Sequence, residues 1–180
     1  MNREGLLCWE DIKTRQSIYL NLGGNGNCHP HKGYENYIAV DIQPSTMGWH
    51  IEHDLRKPIP LPNDCVDRIL SEDFLEHVTA EEMKKIICES FRLLKAGGVM
   101  RIGVPDYNNP KDKPYLQQGK DPRYPEHITL TYYDLMKKII GETPFMRYKF
   151  RHYWDKDKFI CEKIDYTYGM VKRTSDNDLS

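Results

Sequence analysis

Three glycines and one carboxylate carry the most chemistry in this chain. Tyr19 to Asn27 reads Y-L-N-L-G-G-N-G-N, and Tyr37 to Ile42 reads Y-I-A-V-D-I. One apolar run enters a glycine turn, and a second ends in Asp41. Gly23, Gly24 and Gly26 let the backbone bend sharply and let a ligand approach with no Cβ in between. Asp41 follows at the spacing expected of a ribose-binding acid after such a turn. The pair predicts a cofactor that contains adenosine. A nicotinamide dinucleotide fits poorly, because the third glycine of its fingerprint is replaced by His29.

Strands must position these residues. Ile18 to Leu22 and Tyr37 to Ile42 read as the first two, joined by a segment in which Pro30 and Gly33 leave little room for a full helix. His50 to Leu55 is weakly extended, and Pro58, Pro60 and Pro62 make a rigid loop. Val66 to Ser71 is a short apolar strand. Thr79 with Glu82 forms a capping box, and Met83, Ile86, Ile87, Phe91 and Leu94 follow at helical spacing, interrupted by Ser90. Gly97 and Gly98 are expected to stop that helix, before a strand over Val99 to Val104.

Tyr107 to Glu126 holds four prolines and reads as a long binding loop. Thr131, with Asp134 three residues on, opens a second helix that runs through Ile140 and ends at Gly141. Phe145 to Trp154 and Phe159 to Val171 read as a final strand pair, and 172–180 as a frayed tail. Strands alternating with helices give an α/β sheet with ligands at the strands' carboxyl ends. Gly23 to Asn27, Asp41, Glu72, Asp73 and Asp106 all fall at such ends.

The length of 180 residues predicts one domain over 1–180. No apolar run reaches membrane-span length, and no signal peptide is read at the start. Five cysteines (Cys8, Cys28, Cys65, Cys88, Cys161) form no C-x-x-C pair, so reduced thiols in the cytoplasm are expected. His29, His31, His50 and His53 have no carboxylate or thiol at ligand spacing, so no metal site is indicated. His77 reads as packing at the start of the capped helix, beside the cofactor site. Charge is uneven. Residues 1–110 hold 12 Lys/Arg and 16 Asp/Glu, whereas 111–163 hold 12 and 8. The basic part is also aromatic (R-Y-K-F-R-H-Y-W from Arg147), which reads chiefly as a strand with a solvated face.

Four ordered blocks resemble the class I S-adenosylmethionine-dependent methyltransferases, in particular those grouped as methyltransferase type 11. L-N-L-G-G-N-G-N resembles the family's glycine loop, and A-V-D-I its second strand with the ribose acid. The run from His53 to Val78, H-D-L-R-K-P-I-P-L-P-N-D-C-V-D-R-I-L-S-E-D-F-L-E-H-V, is similar to its middle block. F-R-L-L-K-A-G-G-V-M-R-I-G-V-P-D resembles its signature around the fifth strand. The chain departs at Asn25 and Asn27 in the glycine loop, at Ala96 for a usual Pro, and in an abbreviated first helix. An Asn/Asp-Pro-Pro-Tyr motif is absent, which argues against base methylation.

The resemblance implies a Rossmann-like class I sheet with a shortened first helix and a C-terminal strand hairpin. It also implies S-adenosylmethionine as cofactor. The implied donor site comprises Gly23, Gly24, Asn25 and Gly26 beside the amino acid moiety and Asp41 on the ribose. Ile42 would cover adenine, Asp54 and Leu55 would meet the adenine amino edge, and Ser71 and Glu72 would lie near the sulfonium end. An acceptor hydroxyl must also lose its proton, for which Asp106 and His127 are the candidates and Tyr107 and Glu72 weaker ones. The expected acceptor is a small polar or sugar-like molecule, methylated on oxygen. Two alternatives stand beside it: a non-catalytic S-adenosylmethionine-binding module, and a nucleic-acid methyltransferase using the basic aromatic third.

Overall fold

The computed structural model describes residues 7–24, 36–44 and 47–163. Five parallel strands form one sheet: β1 (Tyr19–Leu22), β2 (Tyr37–Asp41), β3 (His50–Glu52), β4 (Val66–Glu72) and β5 (Leu94–Gly103). Their order is β3-β2-β1-β4-β5. β1 is central, and Leu20, Leu22, Ile38, Val40 and Ile69 are buried in the core. β2 is buried at four successive positions, Tyr37 to Val40, as a parallel strand covered on both faces is. The chain leaves β1 for β2 and β3, then returns to β4 and β5 on the other side. That reversal is a topological switch point, where α/β sheets bind ligands.

Residues 23–36 join β1 to its parallel neighbour, a span that suits a crossover. Asn25, Gly26 and the expected shortened helix lie outside the described residues. A short helix not foreseen from sequence, α1 (Trp9–Lys13), precedes β1 and buries Ile12 completely.

Helix α2 (Ala80–Leu93) starts as its capping box requires. The Thr79 N–H donates to Glu82 Oε2 at 2.9 Å, and the Glu82 N–H donates to Thr79 Oγ1 at 3.3 Å. Met83, Ile86, Ile87 and Leu93 fill the buried stripe. Ser90 fits that stripe because its hydroxyl donates to the Ile86 carbonyl at 2.8 Å. The Gly97–Gly98 pair does not stop the helix. The chain turns extended at Leu94, and the pair lies in an irregular stretch of β5, between Leu94 opposite Val66 and Val99 opposite Arg68. Helix α3 (Tyr133–Gly141) begins later than Thr131, whose hydroxyl donates instead to the Pro105 carbonyl.

β6 (His152–Asp155) and β7 (Lys158–Cys161) form the expected antiparallel hairpin, shorter than the sequence suggests. Residues 145–151 form no strand, and 164–180, with the tail, lie outside the described residues. Among the described residues no helix is long and apolar enough to cross a membrane. Cys8, Cys65, Cys88 and Cys161 are free thiols.

The proline loop is fastened to α2 by one ion pair. Arg92 Nη2 lies 2.6 Å from Glu89 Oε1, which also accepts the Ile59 N–H at 2.8 Å. Arg92 in turn donates to the carbonyls of Ile59 and Leu61 at 3.0 and 2.9 Å. Bonding to Arg92 holds the Glu89 carboxyl below its ordinary value of 4.5. A lowered folded pKa gives stability that is present above the ordinary value and lost as pH falls through the folded one. Glu89→Gln is therefore expected to cost about 1 kcal/mol at neutral pH, with the gap to wild type closing as pH drops below about 4.5. Urea unfolding of both proteins across that range checks it; a constant gap would refute the linkage.

Candidate functional site at the carboxyl edge of the sheet

The register sets the site. Leu22 pairs with Val40 on one side and with Ser71 on the other. One residue further, Gly23 stands between Asp41 and Glu72. Its N–H donates to the Val40 carbonyl at 2.9 Å. Gly23 has φ +73°, and a Cβ built there would sit 2.3 Å from Phe74 Cβ and Cγ. Glycine is required at this point by both backbone and packing. At Gly24 a Cβ would meet the Asn21 side chain at 2.4 Å. The glycine turn thus lets Phe74 and Asn21 close on the main chain.

Asp41 is half-buried, and its Oδ1 accepts the Gln43 N–H at 2.8 Å, which orients the carboxylate at the strand end. Ile42 is 56% exposed, an uncovered apolar side chain beside that carboxylate. Ser71 is fully buried, and its hydroxyl has no hydrogen-bond partner among the described residues. Glu72 is half-buried at the end of β4. Leu55 is part of the core. Asp54 is gripped by the Arg56 guanidinium at 2.8 and 3.1 Å, which holds its carboxyl below the usual range.

A cavity of about 440 Å³ lies at the ends of β4 and β5. Asp73, Glu76, His77, Tyr107, Asp121 and His127 are among its walls. The 3₁₀ turn Leu75–His77 carries Glu76, which is fully buried, and His77. His77 Nδ1 is 3.1 Å from the Glu126 carbonyl. That oxygen can only accept, so Nδ1 carries the proton. His127 shares a 2.6 Å hydrogen bond with the Tyr107 hydroxyl through Nδ1, stacks on Tyr124 and meets His77 edge-on at 4.9 Å between ring centres. Burial, then the neighbouring His77, pushes the His127 pKa down. Burial, with the charges of Asp121 and Glu76, pushes Tyr107 up to about 12.

The long loop is built, not slack. Asp121 is buried and bonded by Arg123 at 2.6 Å; Arg123 also reaches Asp112 at 2.9 Å and lies over the Tyr115 ring at 4.1 Å. Its neck is tied. The Tyr107 N–H donates to the Thr131 carbonyl, and Thr129 donates to the carbonyls of Glu76 and Val78.

The two sequence candidates for proton transfer sit differently. His127 lines the cavity. Asp106 accepts the Trp154 N–H at 2.6 Å on one oxygen and the Asn108 N–H at 3.0 Å on the other, so it clips β6 to the loop start. From the sequence His77 reads as packing at the helix start beside the cofactor site, and Glu76 carries no role. The one signal for their role was an acid-histidine pair just after a strand end, in the part of an α/β sheet that binds ligands.

The profile of a family described as "Methyltransferase domain", type 11, matches residues 22–102, the stretch that holds β2 to β4 and nearly all of β5. That stretch, a little under half of the chain, is similar to the type 11 methyltransferase domain. The chain's fold is that of a SAM-dependent methyltransferase from Archaeoglobus fulgidus, at TM-score 0.57 and 16% identity, over 74% of this chain and 62% of that one. It is likewise similar to a proposed S-adenosyl-L-methionine-dependent methyltransferase from Methanococcus maripaludis, at TM-score 0.52 and 16% identity, over 84% of this chain and 80% of that one. The chain thus spans under two thirds of the Archaeoglobus protein's length. No curated protein matches it.

S-adenosylmethionine is the cofactor of this methyltransferase family. The residues present fit it. A half-buried carboxylate next to an uncovered Ile42 suits a ribose and an adenine face, and the unpartnered Ser71 hydroxyl offers a polar contact at the switch point.

Proposed function

We propose that this methyltransferase domain moves a methyl group from S-adenosylmethionine to an oxygen of a small polar, sugar-like acceptor held under the 107–126 loop. The observation that carries the reading is the placement of Gly23 between Asp41 and Glu72 at the switch point, with the 440 Å³ cavity alongside. Bound S-adenosylmethionine supplies a methyl carbon on a sulfonium sulfur, open to in-line attack by an acceptor lone pair.

The chain's own residues do the rest. Asp41 accepts from the ribose hydroxyls as a charged acceptor. Ile42 covers the adenine ring, with Asp54 and the Leu55 main chain at its amino edge. The main chain of Gly23 and Gly24 lies along the amino acid moiety, and Ser71 and Glu72 approach the sulfonium end. Alignment of donor and acceptor then supplies most of the acceleration, because charge disperses in the transition state. Of the two proton-transfer candidates, His127 faces the acceptor, while Asp106 holds the loop start in place.

A nucleic-acid acceptor draws less support. Lys149 and Arg151 of the basic stretch both pair with Glu162, at 2.6 and 3.3 Å. Calorimetry with S-adenosylmethionine and S-adenosylhomocysteine is the first test, and heat-silent titrations with both would sink the donor reading. Transfer of labelled methyl to a panel of hydroxylated small molecules and to oligonucleotides is the second. Labelled oligonucleotides, formed less readily at high salt, would replace the small-molecule acceptor. Donor binding without any transfer would make the domain a binding module.

A further inference from the structure

The cavity at the ends of β4 and β5 holds Glu76 and His77, two groups that the proposed transfer leaves unused, next to His127. One ligand atom each from Glu76, His77 and His127 lies within 4.8 Å of the others. Metal bonds of about 2.0–2.2 Å place ligands about 3.3–4.2 Å apart, so side-chain adjustments under ~1 Å would close the set. We infer that Glu76, His77 and His127 form a binding site for a divalent transition-metal cation at the acceptor end of the cavity.

Three observations converge. First, His77 is oriented as a ligand is. It donates through Nδ1 to the Glu126 carbonyl, and a ring tied at Nδ1 by an oxygen acceptor presents Nε2 as its lone-pair nitrogen, the arrangement that fixes metal-binding histidines. His127 is held by Tyr107 at Nδ1, which leaves its Nε2 as the second nitrogen of the ring, a lone-pair donor when Tyr107 accepts. Second, Glu76 is fully buried and brings a carboxylate oxygen within 4.8 Å of both imidazoles, a mixed oxygen and nitrogen donor set. Third, the walls are acidic. Asp73 and Glu126 line the same space, and its single guanidinium, Arg123, is already bonded to Asp112 and Asp121. Asp73 also has φ +49°, an uncommon conformation for a non-glycine residue. A mixed set of two imidazoles and a carboxylate suits manganese, iron(II), cobalt or zinc better than magnesium or calcium.

The ion-binding claim stands on this geometry. Its role rests on the proposed methyl transfer: a cation there would ligate the acceptor hydroxyl and lower its pKa. The His127 ring nitrogen facing the cavity would then hold the ion, and the proton of the metal-bound acceptor hydroxyl would leave to bulk water as the methyl group arrives.

The test uses the full chain and Co²⁺, followed by visible absorption and by calorimetry. Wild type is expected to bind about one ion per chain, and His77→Ala and Glu76→Gln each to weaken binding at least about tenfold. His127→Asn, which keeps a polar group at the loop, gives a further reading if either of those variants fails to fold by circular dichroism. No Co²⁺ binding by wild type would overturn the inference. So would folded variants that bind as wild type does, since the ion would then sit elsewhere. S-adenosylhomocysteine affinity in metal-free buffer is measured in parallel. Donor binding with no cation binding would remove the metal and leave the methyltransferase reading intact.

Discussion

Gly23→Ala is expected to destabilise the protein by about 2–4 kcal/mol. Two costs add. A side chain at φ +73° is strained by about 1 kcal/mol. The new Cβ would also fall 2.3 Å from Phe74, and overpacking of that kind costs about 1–3 kcal/mol. The two terms can be separated experimentally. Gly97 has a similar φ of +82°, yet a Cβ there meets nothing within 4 Å, so Gly97→Ala should show the backbone term alone. Denaturant unfolding of both variants measures the difference, and equal losses would show that Phe74 yields freely. Phe74 immediately precedes the turn that carries Glu76 and His77. A displaced ring should therefore disturb the cavity walled by Glu76 and His77 as well as the glycine turn.

The second large effect is on ligand affinity. Asp41→Ala should weaken S-adenosylhomocysteine binding by about 1.5–3 kcal/mol, roughly 10- to 150-fold, through loss of hydrogen bonds to a charged acceptor. Stability should change far less, because in the fold the carboxylate bonds only the Gln43 N–H among the described residues. Calorimetry reads the affinity directly. If it is unchanged, the ribose lies elsewhere and the role given to the end of β2 is wrong.

Much of the sheet and its carboxyl edge was legible in the sequence, for reasons particular residues make plain. Tyr37 to Val40 and Ile69 to Ser71 are continuous apolar or small runs that suit only strands buried on both faces. Thr79 and Glu82 announced α2 because a capping box is a local interaction over three residues. Asp41 could be placed because it directly follows an apolar strand. The cavity at the ends of β4 and β5 was less legible. His127 meets His77 across 50 residues of chain, and no spacing rule reports a contact made by a loop folding back. Asp106 looked like a free acid at a strand end, but the backbone of β6, 48 residues on, uses it as an acceptor. Asp54 was read without Arg56, two residues away, which takes both its oxygens. Helix α1 spans one turn with a single fully buried residue, too little for periodicity to register.

The tied neck of the 107–126 loop bears on how such a domain can diversify. Thr131 fastens the chain leaving β5, and Thr129 fastens the turn after β4, so both ends of the loop are fixed to the sheet independently of what lies between. Extra residues inserted near Gln118 and Gly119, which are exposed, would add only the slowly growing entropy of a longer closed segment. The parallel scaffold would not sense their number. If the proposed acceptor site is right, its specificity can be exchanged like a cartridge, by replacing the stretch between these fastenings while β1 to β4 stay unaltered.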